Sequence, residues 1–215
     1  MFNCIFNLFN FNQHFINVFF LIFILLFNAV NPVVNKIRNI YEGTSNIEVI
    51  GNDVFFEILD PPDLKYTYRV RPAKDFGVPF SQINELRNVQ LVLVHPKYGC
   101  GIPENADEVE GNVAFVQRGY CSFKMKTVYA EKVGARAIII TDEHQDHDDY
   151  FIGMIDDMDS QDVNIPSAYL IGKNGAMIRK TLEKLDRNYA IINLPVNLTF
   201  TPIHKISQPP WLQWS

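Results

Sequence analysis

The strongest pattern of hydrophobic and polar positions lies in residues 111–143, where two apolar runs flank an amphipathic segment. Residues 112–117 and 137–141 have the length of short strands, and the second run is β-branched, as expected of a strand buried on both faces. The residues that recur between them at helical spacing are Phe123, Thr127, Ala130 and Gly134. Ser122 can cap the start of this helix and Gly134 can end it. The pattern therefore predicts a strand, a turn, a helix and a second strand.

Shorter apolar or alternating runs on both sides predict further strands. These runs are residues 53–60, 65–71, 89–94, 165–171, 189–193 and 196–200. Pro61 and Pro62 separate the first two runs, because proline presets a turn dihedral and removes a ladder donor. Asn174 can cap a second helix, whose apolar stripe runs to Leu185. We expect a β-rich α/β domain, built as a curved sheet or open β-barrel with two flanking helices.

The start of the chain has the composition of a secretory leader. The first 35 residues contain no Lys, Arg, Asp or Glu, and residues 18–27 are an uninterrupted apolar run. A bilayer-spanning helix needs about 20 apolar residues, whereas the core of a signal peptide needs about 7–15. We interpret residues 1–29 as a signal peptide with an uncertain cleavage site and residues 30–50 as an N-terminal extension. The protein is then secreted without a stable membrane span; an uncleaved anchor is the alternative.

Cysteine usage fits the same compartment. Removal of the leader would take Cys4 with it and leave the pair Cys100 and Cys121. Because disulfides persist in secretory compartments, we predict a bridge between these two residues. Two buried free thiols are the alternative.

One triplet, Asn197-Leu198-Thr199, has the form of an N-glycosylation acceptor with a permissive middle residue. Such triplets carry glycans on the surface of secreted proteins. We therefore predict that Asn197 is glycosylated.

An acidic segment occupies residues 142–162, which hold nine Asp or Glu and no Lys or Arg. Carboxylate oxygens suit Ca²⁺, and the pair His144 and His147 would suit Zn²⁺. The spacing matches neither template, because Asp162 replaces the turn glycine of a calcium loop and Ala168 replaces its final Glu. We interpret the segment as a solvated acidic loop without a metal. A Ca²⁺- or metal-dependent binding module using this loop is the alternative function.

The net charge of −5 argues against a nucleic-acid partner, which would require a basic face. We find no phosphate-binding or dinucleotide fingerprint and no Gly-x-Ser-x-Gly elbow. We therefore predict no cofactor and no catalytic residue. A cryptic hydrolase is a further alternative, since catalytic triads are assembled in space rather than along the sequence.

Two motifs coincide with the strand–turn–helix–strand pattern. Val-x-Arg-Gly-x-Cys-Ser-Phe-x-x-Lys runs from Val116 to Lys126, and Gly-Ala-x-Ala-x-Ile-Ile runs from Gly134 to Ile140. With these motifs, the chain from about Asn52 onward resembles the protease-associated domain family. The resemblance implies a protease-associated domain over residues 51–201 without catalysis. It also implies that this domain binds a protein or peptide, such as a protease or its substrate.

Candidate partner-binding residues fall in the β–α turn, in the loop of residues 73–80 and in a Pro/Trp-rich tail, residues 202–215. They are Arg118, Tyr120 and Phe123 in the turn, Phe76 in the loop, and Trp211 and Trp214 in the tail. The prolines of the tail favour an extended backbone, which would present the tryptophans to a partner. The alternative is that the tryptophans fold back over an open end of the sheet, because large aromatic side chains usually bury.

Overall fold

The computed structural model describes residues 53–142, 151–157 and 161–212 of the chain. They belong to one of two compact units, Ile47–Ser215. The strands in this part of the chain are β1 Val54–Asp60, β2 Thr67–Pro72, β3 Leu86–Leu93, β4 Val113–Gln117, β5 Ala137–Thr141, β6 Ser167–Leu170 and β7 Tyr189–Leu194. The α-helices are α1 Ala106–Val109, α2 Phe123–Lys132 and α3 Gly172–Lys184.

The strands close into a barrel in the order β1-β2-β6-β5-β4-β3-β7. The four strands β3, β4, β5 and β6 are parallel to one another. β1, β2 and β7 run antiparallel to their neighbours, and the pairing of β1 with β7 closes the sheet. The predicted β-rich α/β fold is confirmed, and the barrel is closed rather than open.

Two hydrophobic clusters explain why β4 and β5 are buried along their whole length. Side chains on successive residues of a strand point to opposite faces. Val113 and Phe115 of β4 belong to one cluster, whereas Ala114 and Val116 belong to the other. β5 alternates in the same way. The two predicted apolar runs, β4 and β5, therefore lie between the two hydrophobic clusters, as expected of parallel strands.

Helix α2 begins where the sequence predicts. The hydroxyl of Ser122 accepts a hydrogen bond from the N–H of Met125 at 3.1 Å, which satisfies one of the unpaired donors of the first turn. Gly134 follows the end of the helix with a φ of 81°. The cap at Ser122 and the glycine at the other end are thus confirmed.

Two local predictions are wrong. Helix α3 begins at Gly172, so Asn174 lies inside the first turn, where it is buried, and does not cap the helix. Residues 196–200 do not form a strand. β7 ends at Leu194, because Pro195 has no N–H to donate to a ladder.

The predicted signal peptide, residues 1–29, and the extension, residues 30–50, lie outside the described residues. Within the described ranges, no helix has the length and apolar character needed to cross a bilayer. The longest α-helix there, α3, has 13 residues.

Candidate functional site

The turn between β4 and α2, residues 118–122 and here named the Tyr120 turn, lies at the carboxyl ends of the parallel strands. The N–H of Arg118 donates to the carbonyl of Thr141 on β5 at 2.8 Å, which extends the pairing by one residue. Gly119 and Tyr120 then reverse the chain with φ values of 121° and 65°. Positive φ is unfavourable for a residue with a side chain, by about 1–3 kcal/mol, so surrounding contacts must hold Tyr120 in this conformation.

One such contact is the disulfide between Cys100 and Cys121. It joins the loop after β3 to the Tyr120 turn, and the two Cα atoms are 5.8 Å apart, a normal separation for a bridge. The predicted pairing is confirmed. The loop and the turn are therefore covalently held against each other.

A second contact, which the sequence analysis missed, is made by Lys126 of α2. Its side chain is 1% exposed. Its Nζ donates to the carbonyl of Tyr98 at 2.6 Å and to the carbonyl of Gly119 at 2.7 Å. Lys126 thus joins by hydrogen bonds the same two segments that the disulfide joins covalently. The available signal was its place in the motif, four residues after the capping Ser122.

Burial lowers the pKa of the Lys126 amine from 10.5 to about 8. Below this lowered pKa, both the folded and the unfolded protein hold the proton. Between about pH 8 and pH 10.5 the folded state releases it first, so the unfolded state binds more protons and stability rises with pH. We expect the melting temperature of the native protein to gain a few degrees over that of Lys126→Met when the pH is raised from about 7 to 9.5. A difference that stays constant with pH would show that the pKa of Lys126 is not lowered.

Above these supports, the ring of Tyr120 is 86% exposed. Its centroid lies 4.4 Å from that of Tyr98, with 60° between the ring planes. The Nζ of Lys97 lies 4.8 Å from the centroid of Tyr98. The turn therefore presents a large exposed aromatic side chain that packs on the ring of Tyr98.

Arg118 is only partly available at the surface. Its Nη1 lies 3.0 Å from Oδ2 of Asp142, and the side chains of the two residues are 45% and 3% exposed. The hydroxyl of Tyr169 donates to the same Oδ2 at 2.9 Å. Burial, reinforced by this hydrogen bond, raises the pKa of Tyr169, which keeps its hydroxyl protonated as the donor. Arg118 thus neutralises a buried carboxylate and can still reach solvent.

The described part of the acidic segment lies against α2. Met154 is buried, and the carboxylate of Asp156 accepts from Nζ of Lys124 at 2.9 and 3.0 Å. Asp157 contacts the hydroxyl of Ser122. Within residues 53–142, 151–157 and 161–212, no three His, Cys, Asp or Glu side chains are grouped to hold a metal ion. His144 and His147, the pair considered as Zn²⁺ ligands, lie outside the described residues.

The other aromatic candidates that the structure describes pack inward. Phe76 and Phe123 lie against the second hydrophobic cluster, and Phe123 meets Tyr169 edge to face at 6.3 Å. Trp211 packs against the first cluster. Trp214 lies outside the described residues. Of the aromatic candidates the structure describes, Tyr120 is thus the one that is largely exposed.

Trp211 is also held by a specific hydrogen bond. Its Nε1 donates to Oδ1 of the buried Asn174 at 2.9 Å, and its ring meets Tyr66 edge to face at 5.4 Å. This placement agrees with the alternative that the tail folds back onto the barrel. We expect Trp211→Ala to lower the free energy of unfolding by about 2 kcal/mol, since it removes apolar contacts and leaves Asn174 short of a partner. Urea titration measures this loss; a change within about 0.5 kcal/mol, as for a surface substitution, would contradict the packing role.

The predicted glycosylation site follows β7. Asn197 is exposed, and its Oδ1 accepts a hydrogen bond from the N–H of Thr199 at 2.9 Å. A glycan would be attached to Nδ2, so this turn can persist in a glycosylated protein. Glycosylation of Asn197 stays a prediction.

The sequence around this site matches a known family. A family model described as the PA domain covers residues 88–178, which include the Tyr120 turn. A relative matched over most of its length agrees with it, and the chain belongs to the protease-associated (PA) domain family. That relative is the PRADC1-like protein of Drosophila melanogaster, which is 52% identical over 169 residues, 78% of this chain and 85% of the relative.

Two further matches concern smaller shares of longer proteins. The ER degradation-enhancing alpha-mannosidase-like protein 3 of Homo sapiens is 29% identical over 119 residues, 54% of this chain but 13% of that protein. A zinc aminopeptidase from Bacillus subtilis gives a TM-score of 0.45 at 16% identity, covering 66% of this chain and 29% of the aminopeptidase chain. Neither match assigns an activity to this chain.

Proposed function

We propose that this protein is a secreted, N-glycosylated PA-domain protein without catalytic activity, and that the Tyr120 turn binds a protein or peptide partner. A protease or the substrate of a protease is a partner of this kind. The observation that carries the proposal is the exposed ring of Tyr120. The disulfide and Lys126 hold the backbone of this residue's turn in an unfavourable conformation. Rigid aromatic side chains are frequent anchors of protein interfaces, because they bury a large area at a small cost in side-chain entropy.

Other exposed apolar side chains lie on segments that are bonded to the Tyr120 turn or to α2. The Tyr120 patch consists of Tyr120, Ile102, Met125 and Ile155, which are 37% to 86% exposed. Tyr120 directly precedes Cys121, and Ile102 follows Cys100 by two residues. Met125 donates its N–H to Ser122, and Ile155 precedes the aspartate that binds Lys124. These four exposed apolar residues thus lie on segments linked by the disulfide, the helix cap and the ion pair, and exposed apolar patches commonly mark interaction sites.

The basic groups beside this patch indicate the chemistry of the partner. Lys97 is exposed next to Tyr98, and the guanidinium of Arg118 reaches solvent while it pairs with Asp142. A partner segment with an apolar side chain and a neighbouring carboxylate would complement both features. Charges at the rim of an interface contribute mainly to specificity and to the rate of association.

The surroundings of the serines in the site support a role without catalysis. The hydroxyl of Ser122 caps α2 and contacts Asp157, and the hydroxyl of the buried Ser167 lies 3.2 Å from that of Thr127. A serine nucleophile needs an adjacent general base, most often a histidine, at hydrogen-bond distance. The described contacts of these two serines instead serve the helix start and the packing of β6.

The proposal predicts that Tyr120→Ala loses the partner. The full-length secreted protein is crosslinked in its native fluid, and the captured proteins are identified by mass spectrometry. We expect Tyr120→Ala to reduce the recovery of the dominant partner at least about tenfold, the effect of losing about 1.4 kcal/mol of binding free energy. The matched control is Phe200→Ala. It also removes an exposed aromatic ring, but from the segment that follows β7 rather than from the Tyr120 turn. Equal recovery with native protein and Tyr120→Ala would refute the assignment of the binding surface.

A further inference from the structure

Phe200 combines two unfavourable features in a short surface turn. Its side chain is 99% exposed. The N–H of Thr201 donates to the carbonyl of Leu198 at 2.9 Å, which makes Phe200 the third residue of a β-turn, and its φ is 64°. Positive φ at this position favours glycine or asparagine, because they tolerate the left-handed conformation. Phe200 therefore exposes its aromatic ring to water and also has a backbone conformation that is unfavourable for phenylalanine.

The glycosylation triplet leads directly into the same turn. Asn197 precedes Leu198, and the N–H of Thr199 donates to Oδ1 of Asn197, which holds the asparagine side chain at the start of the turn. A sugar would be attached to the amide nitrogen of Asn197. This residue is three positions before Phe200, and the β-turn lies between Leu198 and Thr201. The sequence neighbours of Phe200, Thr199 and Thr201, are both polar.

We propose that the first sugar of an Asn197-linked glycan packs against the ring of Phe200. The inference rests on the proposed glycosylation of Asn197. A pyranose ring presents C–H groups on one face, and these groups contact the negative face of an aromatic ring favourably. The contact removes the ring from water and holds the glycan in a defined direction. A sugar suits this ring because attachment to Asn197 would tether the sugar three residues from Phe200, whose sequence neighbours are polar.

The test compares Phe200→Ala with the native protein before and after the glycan is removed. Full-length protein is secreted from eukaryotic cells, and half of each sample is treated with an amidase that releases the glycan and converts the asparagine to an aspartate, which keeps an oxygen acceptor for the turn. With the glycan attached, Phe200→Ala should lower the melting temperature by about 2–4 °C. After release, the same substitution should change it by less than about 1 °C.

Phe200→Gly separates the effect of the backbone conformation at residue 200 from the effect of the ring on the glycan. Without the glycan, this variant should melt no lower than native protein, because glycine relieves the positive φ. With the glycan, it should melt lower, because the sugar has lost the ring. A peptide mass that shows no glycan on Asn197 would overturn both the glycosylation and the packing. A glycan on Asn197 with equal effects of Phe200→Ala in both forms would overturn the packing alone.

Discussion

Replacing both bridged cysteines, by Cys100→Ala together with Cys121→Ala, should lower the free energy of unfolding by about 3 kcal/mol. The bridge closes a loop between residues 21 positions apart, and a loop of this size restricts the unfolded chain by about that amount. The folded barrel loses no strand pairing, so we expect the protein to fold with a lower denaturant midpoint and a melting temperature lower by about 6–12 °C.

Denaturant titration of the double variant and of native protein measures this difference directly. Limited proteolysis provides a local readout, because loss of the bridge should favour cleavage in the Tyr120 turn over cleavage elsewhere. The double substitution avoids an unpaired thiol, which could form a bridge between molecules. A destabilisation of less than about 1 kcal/mol would mean that Lys126 and the packing around α2 hold the two segments without the bridge.

Gly175→Ala should be at least as damaging, with a loss of about 3 kcal/mol or more. A Cβ atom at this position would lie 1.7 Å from Oγ1 and 2.5 Å from Cβ of Thr141. The Cβ of Thr141 is fixed to the backbone of β5, so the clash cannot be relieved by a side-chain rotation, and α3 must move away from the barrel. Thr141 precedes Asp142, so the pairing with Arg118 should be disturbed as well.

The matched control is Gly153→Ala. A Cβ atom at Gly153 meets no heavy atom within 4 Å. This variant should keep the stability of native protein within about 0.5 kcal/mol, as for other surface substitutions. Thermal unfolding of the two variants side by side checks both expectations. A melting temperature of Gly175→Ala close to that of Gly153→Ala would show that α3 does not approach β5 as closely as described.

Helix α2 shows which structural features the sequence pattern predicts and which it does not. Ser122, the length of the helix and the terminal Gly134 were predictable, because serine is a preferred residue at a helix start and glycine is a preferred residue just after a helix end. The burial of Lys124 and Lys126 was not predictable. Lysine is usually exposed, and these two are buried because Asp156 and the carbonyls of Tyr98 and Gly119 supply partners for their charges. Asp156 and Tyr98 are distant in sequence from the lysines that they contact.

The candidate site shows the same division. The turn and the disulfide followed from local residue types and from the number of cysteines. Phe123 belongs to the predicted stripe of the helix and packs inward as that stripe implies. Whether Phe76, Tyr120 or Trp211 faces the core or solvent could not follow from the sequence, because each lies in a loop, a turn or a tail without a clear periodicity. Tyr120 is exposed in a turn where its φ is positive, and a tyrosine in the sequence gives no signal of that conformation.

The measurement that tests the central claim most directly is site-specific photocrosslinking from position 120. A photoreactive phenylalanine analogue replaces Tyr120 in one preparation and Phe200 in a second, and both full-length proteins are irradiated in the native fluid. The account predicts one dominant crosslinked protein or peptide from position 120 and none of it from position 200. The same partner crosslinked equally from both positions, or from position 200 alone, would contradict the claim that the Tyr120 turn is the binding surface.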